Sequence, residues 1–288
     1  MYLESEKDDQ VIRTSGEWAK EKLSILQRFI SMFTTSMRNR KWAALNYIDL
    51  EAGPGKNRVK DSNDVFLGSP LIALTTRYTF DNYFFVEKNP ENFASLERRV
   101  RSSPLHSRVA LYNDDCNAVI GHIVDTINEV ETRSSLEKWQ CLNLVFIDPQ
   151  GLEFHWNTIK ELATKTRSDV VMNFSTSTIT RIIRDLSNSP NETAIDEFFG
   201  TREWRHVYEL LNNPREGAAV RRSLLDFYCD RLRALSYTTT GPTGEHIILN
   251  SKNRQLYTLI CASKHPLGVD FFEKAAAKFK QSGLPGFD

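Results

Sequence analysis

The chain alternates two hydrophobic spacings, one typical of buried strands and one typical of helices. Five short apolar runs predict strands, at residues 45–50, 82–87, 108–112, 142–148 and 168–174. Between them, apolar side chains recur every three or four positions and predict helices at residues 89–101, 116–130 and 158–165. Another helix is expected after Ser69-Pro70, because serine can cap a helix and proline fits its first turn. This alternation predicts an α/β fold with a doubly wound, mostly parallel sheet.

The segments outside this alternation have patterns of their own. Residues 17–37 repeat apolar side chains at helical spacing, so residues 1–44 are expected to form a helical segment packed on the core. Residues 45–288 would then form the main domain. Within it, a polar loop is expected at residues 56–64, and a helical insertion at about residues 176–235.

The last third of the chain completes the predicted sheet. The insertion contains three helical patterns, at residues 176–187, 195–211 and 216–235. Two β-rich runs follow, at residues 246–249 and 256–261, and they flank a turn. These runs predict a terminal β-hairpin, which brings the sheet to seven strands.

Composition narrows the classes of protein to which the chain can belong. Its 288 residues are 40% hydrophobic and 26% charged, as in an ordinary globular protein. The 37 basic side chains balance the 37 acidic ones, so a nucleic-acid partner would need a local basic patch. No apolar run is long enough to span a bilayer, and no N-terminal signal pattern is present. We therefore expect a cytoplasmic protein without a membrane partner.

The four cysteines give no sign of a metal site. They lack the C-x-x-C spacing of structural zinc sites and the pattern of a secreted disulfide framework. We expect reduced, mostly buried thiols and no bound metal.

Acidic residues stand at the ends of the first four predicted strands. Ligands of a doubly wound sheet bind outside the carboxyl ends of its strands, so side chains at these positions are the first candidates for binding. The acidic residues are Asp49, Glu87, Asp114, Asp115 and Asp148.

The turn after the first strand favours one cofactor over another. Gly53 and Gly55 would let the backbone approach a ligand, but Arg58 takes the place of the third glycine of the dinucleotide-binding pattern, which disfavours NAD. S-adenosylmethionine carries an ammonium group, two ribose hydroxyls and an adenine amine, all of which donate to carboxylates. The strand-end acids and the glycine turn therefore predict an S-adenosylmethionine site.

Each cofactor-binding candidate has an expected role in that site. Gly53 and Gly55 would allow close approach of the methionine part, and Asp49 would anchor its amino group, directly or through water. Glu87 would accept from both ribose hydroxyls. Asp115, with Asp114 as the other candidate, would accept from the adenine amine.

Five segments of the chain resemble the three-Cys-motif partner proteins, a bacterial family with a class I S-adenosylmethionine-dependent methyltransferase-like fold. They are YIDLEAGPG at 47–55, GSPLIAL at 68–74, FVE at 85–87, FIDPQGL at 146–152 and ASKHPLG at 262–268. The resemblance implies this fold, S-adenosylmethionine as cofactor, and a partner with a three-cysteine motif similar to radical S-adenosylmethionine proteins. Glu51 departs from the family, which usually has an apolar aromatic residue there, and we expect its charge to face solvent or a cation.

The end of the central strand holds the candidate catalytic residues, Asp148 and Gln150. Methyl transfer needs alignment of the acceptor, and a base only where the nucleophile must lose a proton. Methyltransferases of nucleic-acid amino groups resemble one another in an Asp/Asn-Pro-Pro-aromatic run here, whereas this chain has Asp148-Pro149-Gln150-Gly151. The missing aromatic weakens the case for an adenine acceptor, unless Phe154 or Trp156 stacks on the base instead of packing in the core.

Arginine supplies the candidate substrate contacts. Residues 167–233 contain ten arginines and no lysine, although ten acidic residues in the same span also fit a salt-bridged surface. Arg181 and Arg184 follow the fifth strand and are the candidates for contact with a phosphate-bearing substrate. His265, after the last strand, has the same status.

The sequence supports two functions of different classes. The first is a methyltransferase that acts on a nucleic acid or a nucleic-acid-associated component, together with a three-Cys-motif partner. The second is a non-catalytic docking protein that retains the fold. Metal-dependent phosphodiester chemistry is disfavoured, because the strand-end acids lack a characteristic ligand spacing.

Overall fold

The computed structural model describes residues 3–60, 62–134, 140–186, 193–209, 217–237 and 244–280, with the backbone alone at 184–186, 217 and 280. Its strands are β1 (Arg13–Ser15), β2 (Leu45–Asp49), β3 (Lys56–Val59), β4 (Val65–Leu67), β5 (Asn82–Val86), β6 (Val109–Tyr112), β7 (Leu142–Ile147), β8 (Ser168–Phe174), β9 (Glu245–Leu249) and β10 (Gln255–Ala262). Its α-helices are α1 (Trp18–Met37), α2 (Ser69–Leu74), α3 (Pro90–Arg101), α4 (Cys116–Arg133), α5 (Trp156–Lys165), α6 (Thr176–Leu186), α7 (Ala194–Phe199), α8 (Trp204–Glu209), α9 (Gly217–Ala234) and α10 (Pro266–Lys280).

Seven strands form the central sheet, in the order β6-β5-β2-β7-β8-β10-β9. Neighbouring strands from β6 to β8 pair in parallel. The strand β10 runs antiparallel to β8 and forms a hairpin with β9. The predicted α/β fold, a doubly wound and mostly parallel seven-stranded sheet with a terminal hairpin, is confirmed.

Helices cover both faces of this sheet and complete two hydrophobic cores. On one face, α1, α2, α3 and α10 enclose a core that includes Phe29, Phe33 and Phe80. On the other, α4 to α9 enclose a core that includes Phe198 and Tyr228. The helices α6 to α9 lie between β8 and β9 along the chain, where the sequence predicts a helical insertion. In the described ranges, no helix is long and apolar enough to cross a membrane.

A second, three-stranded sheet lies beside the first and brings the N-terminus to the domain. In it β1 pairs in parallel with β3, and β3 pairs antiparallel with β4. The predicted polar loop at 56–64 is therefore wrong over residues 56–59, which form β3. Lys56 is completely buried there because an acidic side chain of the N-terminal segment reaches it, a long-range contact that local polarity does not reveal.

The single helix predicted at 195–211 is also wrong. The helix α7 ends at Gly200, whose φ of +65° is left-handed and reverses the chain, and α8 begins at Trp204. Trp204 is fully buried. Apolar side chains therefore recur at helical spacing on both sides of Gly200, but they belong to two short helices.

Candidate functional site

Two adjoining cavities open at the carboxyl ends of the parallel strands. The glycine-turn cavity, of about 370 Å³, lies over the turn after β2 and the ends of β7 and β8. The Glu87 cavity, of about 390 Å³, lies over the ends of β5 and β6. Arg13, Glu51 and Gln150 line both. The two cavities therefore form one cleft, with these three side chains at the junction.

The backbone of the glycine turn forms part of the first cavity. Gly53 and Gly55 have φ values of +65° and +92°, a conformation that favours glycine. A Cβ atom on Gly55 would meet Leu71 at 3.2 Å and Leu96 at 3.3 Å, so packing requires glycine there as well. A Cβ atom on Gly53 would find only Arg13 Nη1 within 4 Å, at 3.7 Å. A ligand can thus approach the backbone at Gly53 closely.

Asp49 lies beneath this turn and lines neither cavity. Its side chain is fully buried, and burial raises the pKa of Asp49 to about 7, while hydrogen bonds with Ser69 and Tyr47 act in the opposite direction. Its Oδ1 has no hydrogen-bond partner among the described residues. Ser69, which hydrogen-bonds Asp49, does line the glycine-turn cavity.

Asp148 lines the glycine-turn cavity directly. Lys22 Nζ donates to its Oδ2 at 2.5 Å, and Asn173 Nδ2 donates to its Oδ1 at 2.9 Å. Burial alone would raise the pKa of Asp148, but the positive charges of Lys22 and Arg13 hold it below its ordinary value. Asp148 is therefore an ionised acceptor with both oxygens engaged, suited to orienting a donor and poorly suited to removing a proton.

Lys22 is a site residue that the sequence interpretation missed. Only 8% of it is exposed, and its Nζ lies 5.2 Å from the centre of the Tyr257 ring. The available signal was a lysine on the apolar face of the helix predicted at 17–37. A buried ammonium group there needs an anionic partner, and Asp148 supplies it.

Glu87 lines the second cavity at the end of β5. Its Oε1 accepts a hydrogen bond from the backbone N–H of Asn89 at 2.7 Å, which fixes the side chain. No side chain among the described residues donates to Oε2. One oxygen of a positioned carboxylate is thus available to hydroxyl donors.

The two aspartates after β6 also line the Glu87 cavity, but they differ in their contacts. Asp115 caps α4, where its Oδ1 accepts from the backbone N–H of Asn117 at 2.9 Å, and its Oδ2 accepts from Lys88 Nζ at 2.8 Å. Asp114 is exposed, and its Oδ1 accepts from the backbone N–H of Asp115 at 2.7 Å. Asp114 therefore has fewer hydrogen-bond partners than Asp115 and is the more available acceptor, although the sequence analysis favours Asp115 for contact with the adenine amine.

Arg13 is a second residue that the sequence interpretation missed, and it sits at the junction of the cavities. Burial and the nearby carboxylates of Glu153 and Asp148 raise the pKa of Glu51 well above its ordinary value, and the charge of Arg13 opposes this shift. Glu51 is half-buried, and its Oε1 has no hydrogen-bond partner among the described residues. The three-residue strand β1 carries Arg13 and offers no periodic signal.

Residues 3–17, here named the N-terminal strap, hold β1 in place. Asp8 pairs with Arg99 at 2.5 Å and with Lys56 at 3.0 Å, and all three side chains are completely buried. Arg99 Nη1 also donates to the carbonyl of Val11 at 2.8 Å. The strap is therefore fixed to α3 and β3, which positions Arg13 over the cleft.

The remaining predicted residues are more scattered. Gln150 lines both cavities and is exposed. Arg181 is exposed on α6 and lines neither cavity, and the side chain of Arg184 lies outside the described residues. Ser177 and Thr178, in the first turn of the same helix, line the glycine-turn cavity instead.

The structure also places three further residues from the sequence analysis away from the cleft. Phe154 and Trp156 are 0% and 5% exposed and pack in the hydrophobic core, so they are not available to stack on a base. His265 follows β10, which runs antiparallel to β8, so it emerges at the opposite edge of the sheet from the cleft. Within the described ranges, no group of three His, Cys, Asp or Glu side chains could hold a metal ion.

Comparison with known proteins gives structural matches alone. No family model and no curated protein sequence matches the chain. Protein LPL1258 from Legionella pneumophila is similar in structure, with a TM-score of 0.52 and 12% identity over 93% of this chain and 94% of that one. An O-methyltransferase from Bacillus cereus in complex with S-adenosylhomocysteine gives a TM-score of 0.42 and 11% identity, over 87% of this chain and 92% of that one.

A further match is the O-methyltransferase TomG from Streptomyces achromogenes, in complex with S-adenosylmethionine. Its TM-score is 0.43 and its identity 9%, over 85% of this chain and 80% of that one. In the present chain, the central sheet has the strand order β6-β5-β2-β7-β8-β10-β9, and β10 runs antiparallel to both of its neighbours. The fold is class I methyltransferase-like, with a doubly wound, mostly parallel seven-stranded sheet.

Proposed function

We propose that the protein is an S-adenosylmethionine-dependent methyltransferase. The observation that carries this proposal is the two-part cleft, in which an accessible glycine turn and a fixed strand-end carboxylate, Glu87, lie on either side of Arg13. The donor and acceptor groups of this cleft match those of the cofactor. When bound, S-adenosylmethionine would supply an electrophilic methyl group on a sulfonium.

Different residues of the cleft would bind different parts of the cofactor. Oε2 of Glu87 would accept from the ribose hydroxyls, and Asp114 from the adenine amine. In the glycine-turn cavity, Arg13 would pair with the carboxylate of the methionine part, since guanidinium and carboxylate form bidentate hydrogen bonds. Asp49, through Ser69 or water, would balance the ammonium group.

The methyl acceptor would enter the glycine-turn cavity beside Asp148. Because Lys22 and Asn173 engage both oxygens of Asp148, the expected role of this residue is to orient a donor group of the acceptor toward the methyl group. Gln150 is exposed at the junction and is the candidate to contact the acceptor. An acceptor that is already deprotonated or neutral and nucleophilic fits this site best, because Asp148 is a weak base.

We further propose a nucleic acid, or a component associated with one, as the acceptor, and a three-Cys-motif protein as the partner. Support comes from the arginine-rich insertion next to the cleft and from the sequence resemblance. The alternative is a docking protein without catalysis, which the neutralisation of Asp148 by Lys22 favours.

Calorimetric titration with S-adenosylhomocysteine tests the cofactor assignment. Glu87→Gln should weaken binding about tenfold or more, because it removes a charge-assisted acceptor of the ribose hydroxyls. Glu97→Gln is the matched control, since Glu97 is half-buried on α3, pairs with Arg101 and lines neither cavity. Absence of binding heat in the wild type, or equal affinities for both variants, would contradict the proposal.

A methyl-transfer assay separates catalysis from docking. Wild-type protein and Asp148→Asn would be incubated with methyl-labelled S-adenosylmethionine and nucleic-acid pools, with and without the three-Cys-motif partner. Label transfer that Asp148→Asn reduces supports the enzyme. Stable co-purification with the partner and no transfer in any pool supports the docking protein.

A further inference from the structure

A third cavity, of about 320 Å³, opens at the edge of the sheet opposite the cleft. It lies at the amino ends of β7 and β8, and its volume is within the range of small-molecule sites. We name it the Arg167 cavity. Its lining includes Arg40, Trp42, Arg167, Asp169, Lys264 and Phe271.

The antiparallel course of β10 brings the segment 262–268 to this cavity. Ala262 pairs with Val170, so the chain leaves β10 beside the start of β8. Ser263 Oγ then donates to Asp169 Oδ1 at 2.5 Å, and accepts from the backbone N–H of His265 at 3.0 Å. These bonds fix the turn, whose basic side chains line the cavity. No residue of this segment lines the cofactor cleft.

Three cations line the cavity and have no ion pair with a described residue. Arg40 is exposed, and the guanidinium of Arg167 lies 5.2 Å from the centre of the Trp42 ring. Lys264 Nζ donates to the backbone carbonyl of Ala163. Burial and the nearby charge of Arg167 both lower the pKa of Lys264, as expected where cations are crowded.

One carboxylate opposes these charges. Asp169 is buried at the floor of the cavity and is already bound by Ser263. Three cations against one carboxylate leave the cavity with an excess of positive charge. The rest of its wall is apolar or aromatic, so the cavity offers both a charged end and a flat apolar surface.

We propose that the Arg167 cavity binds a small amphipathic anion, in which a carboxylate or phosphate group is attached to a flat apolar ring. The acid group would lie between Arg40, Arg167 and Lys264, where guanidinium groups give bidentate hydrogen bonds. The ring would pack against Trp42 and Phe271. This site is separate from the cofactor cleft and does not depend on the proposed methyltransferase activity.

Calorimetric titration with 1-naphthoate, 1-naphthamide and inorganic phosphate tests the proposal. The naphthoate carries both features, the amide keeps the ring without the charge, and phosphate keeps the charge without the ring. We expect naphthoate to bind at least tenfold more tightly than either. Saturating S-adenosylhomocysteine should leave the naphthoate affinity unchanged, because its site is at the other edge of the sheet.

Variants identify the cations responsible. Arg167→Gln should weaken naphthoate binding about tenfold, and Arg40→Gln severalfold. Lys278→Gln is the control, because Lys278 is exposed on α10 and does not line the cavity. Arg40 is also exposed, so its variant keeps the test valid even if Arg167→Gln fails to fold. Equal binding of naphthoate and naphthamide, or unchanged affinity in Arg40→Gln and Arg167→Gln, would overturn the proposal.

Discussion

Asp49 and Asp148 end neighbouring strands, yet their surroundings move their pKa values in opposite directions. Asp49 is buried with hydroxyl partners and no cation close enough to dominate, so burial raises its pKa to about 7. Asp148 is buried with Lys22 against it, so its pKa is lowered in spite of burial. The sequence shows the same residue type at the carboxyl ends of two strands. It does not show Lys22, because that contact joins residues 126 positions apart.

The pKa of Asp49 predicts a pH-dependent loss of stability. Its value in the folded protein, about 7, is above the ordinary value of 3.8, so the folded state holds this proton more tightly than the unfolded state. The contribution of the Asp49 proton to the free energy of unfolding is complete below about pH 4 and is lost as the pH rises to about 7. Asp49→Asn should therefore gain stability relative to the wild type over that interval, by on the order of a few kcal/mol.

Urea denaturation of both proteins between pH 4 and pH 8 measures this difference. Asp125→Asn, on the exposed face of α4, serves as the control and should follow the wild type. A constant difference between wild type and Asp49→Asn across this range would show that Asp49 titrates normally.

At the scale of elements, the sequence predicts a helix or strand whose ends are defined by adjacent residues. It misses an element that long-range contacts stabilise. The Asn89 cap and Pro90 define the start of α3 from adjacent residues, and the structure begins the helix there. The strand β1 has three residues and no alternation, and it exists because Asp8 anchors the strap to Arg99 and Lys56. No sequence pattern within residues 3–17 indicates the contact of Asp8 with Arg99 and Lys56.

Removing the anchor should release the strap. Asp8→Ala leaves the buried side chains of Arg99 and Lys56 without an anion, which is expected to cost about 3–5 kcal/mol of stability. Hydrogen exchange at β1 should accelerate more than exchange in the central sheet, and S-adenosylhomocysteine should bind more weakly because Arg13 loses its position. Glu6→Ala, an exposed acidic position of the same segment, is the control. Unchanged protection of β1 in Asp8→Ala would contradict this role.

At the scale of the whole molecule, equal numbers of acidic and basic residues hide an uneven distribution. Carboxylates surround the cleft at one edge of the sheet, and unpaired cations line the cavity at the opposite edge. Net charge of zero is a sum over the chain and carries no information about the placement of charges. Placement depends on the direction of each strand, and the antiparallel β10 separates Lys264 and His265 from the cleft.

The cysteines allow global unfolding to be followed chemically. All four are free and buried, as the sequence predicts. Burial raises the pKa of Cys141 to about 11 and that of Cys229 to about 12, and it also raises the pKa of Cys261 well above its ordinary value. These three thiols should resist iodoacetamide at pH 8 and become alkylated together along the urea unfolding curve. Mass spectrometry of each site checks this, and labelling of any one of them at low urea would reveal local opening.

The strand β8 reaches both candidate sites. Asn173 near its carboxyl end bonds Asp148 in the cleft, and Asp169 near its amino end forms the floor of the Arg167 cavity. Three residues of extended strand lie between them, so the two are four residue steps, or about 13 Å, apart. The whole strand is buried between paired neighbours, so it acts as a rigid spacer. Ligands at its two ends should therefore stabilise the fold additively, and their combined thermal shift should equal the sum of the separate shifts.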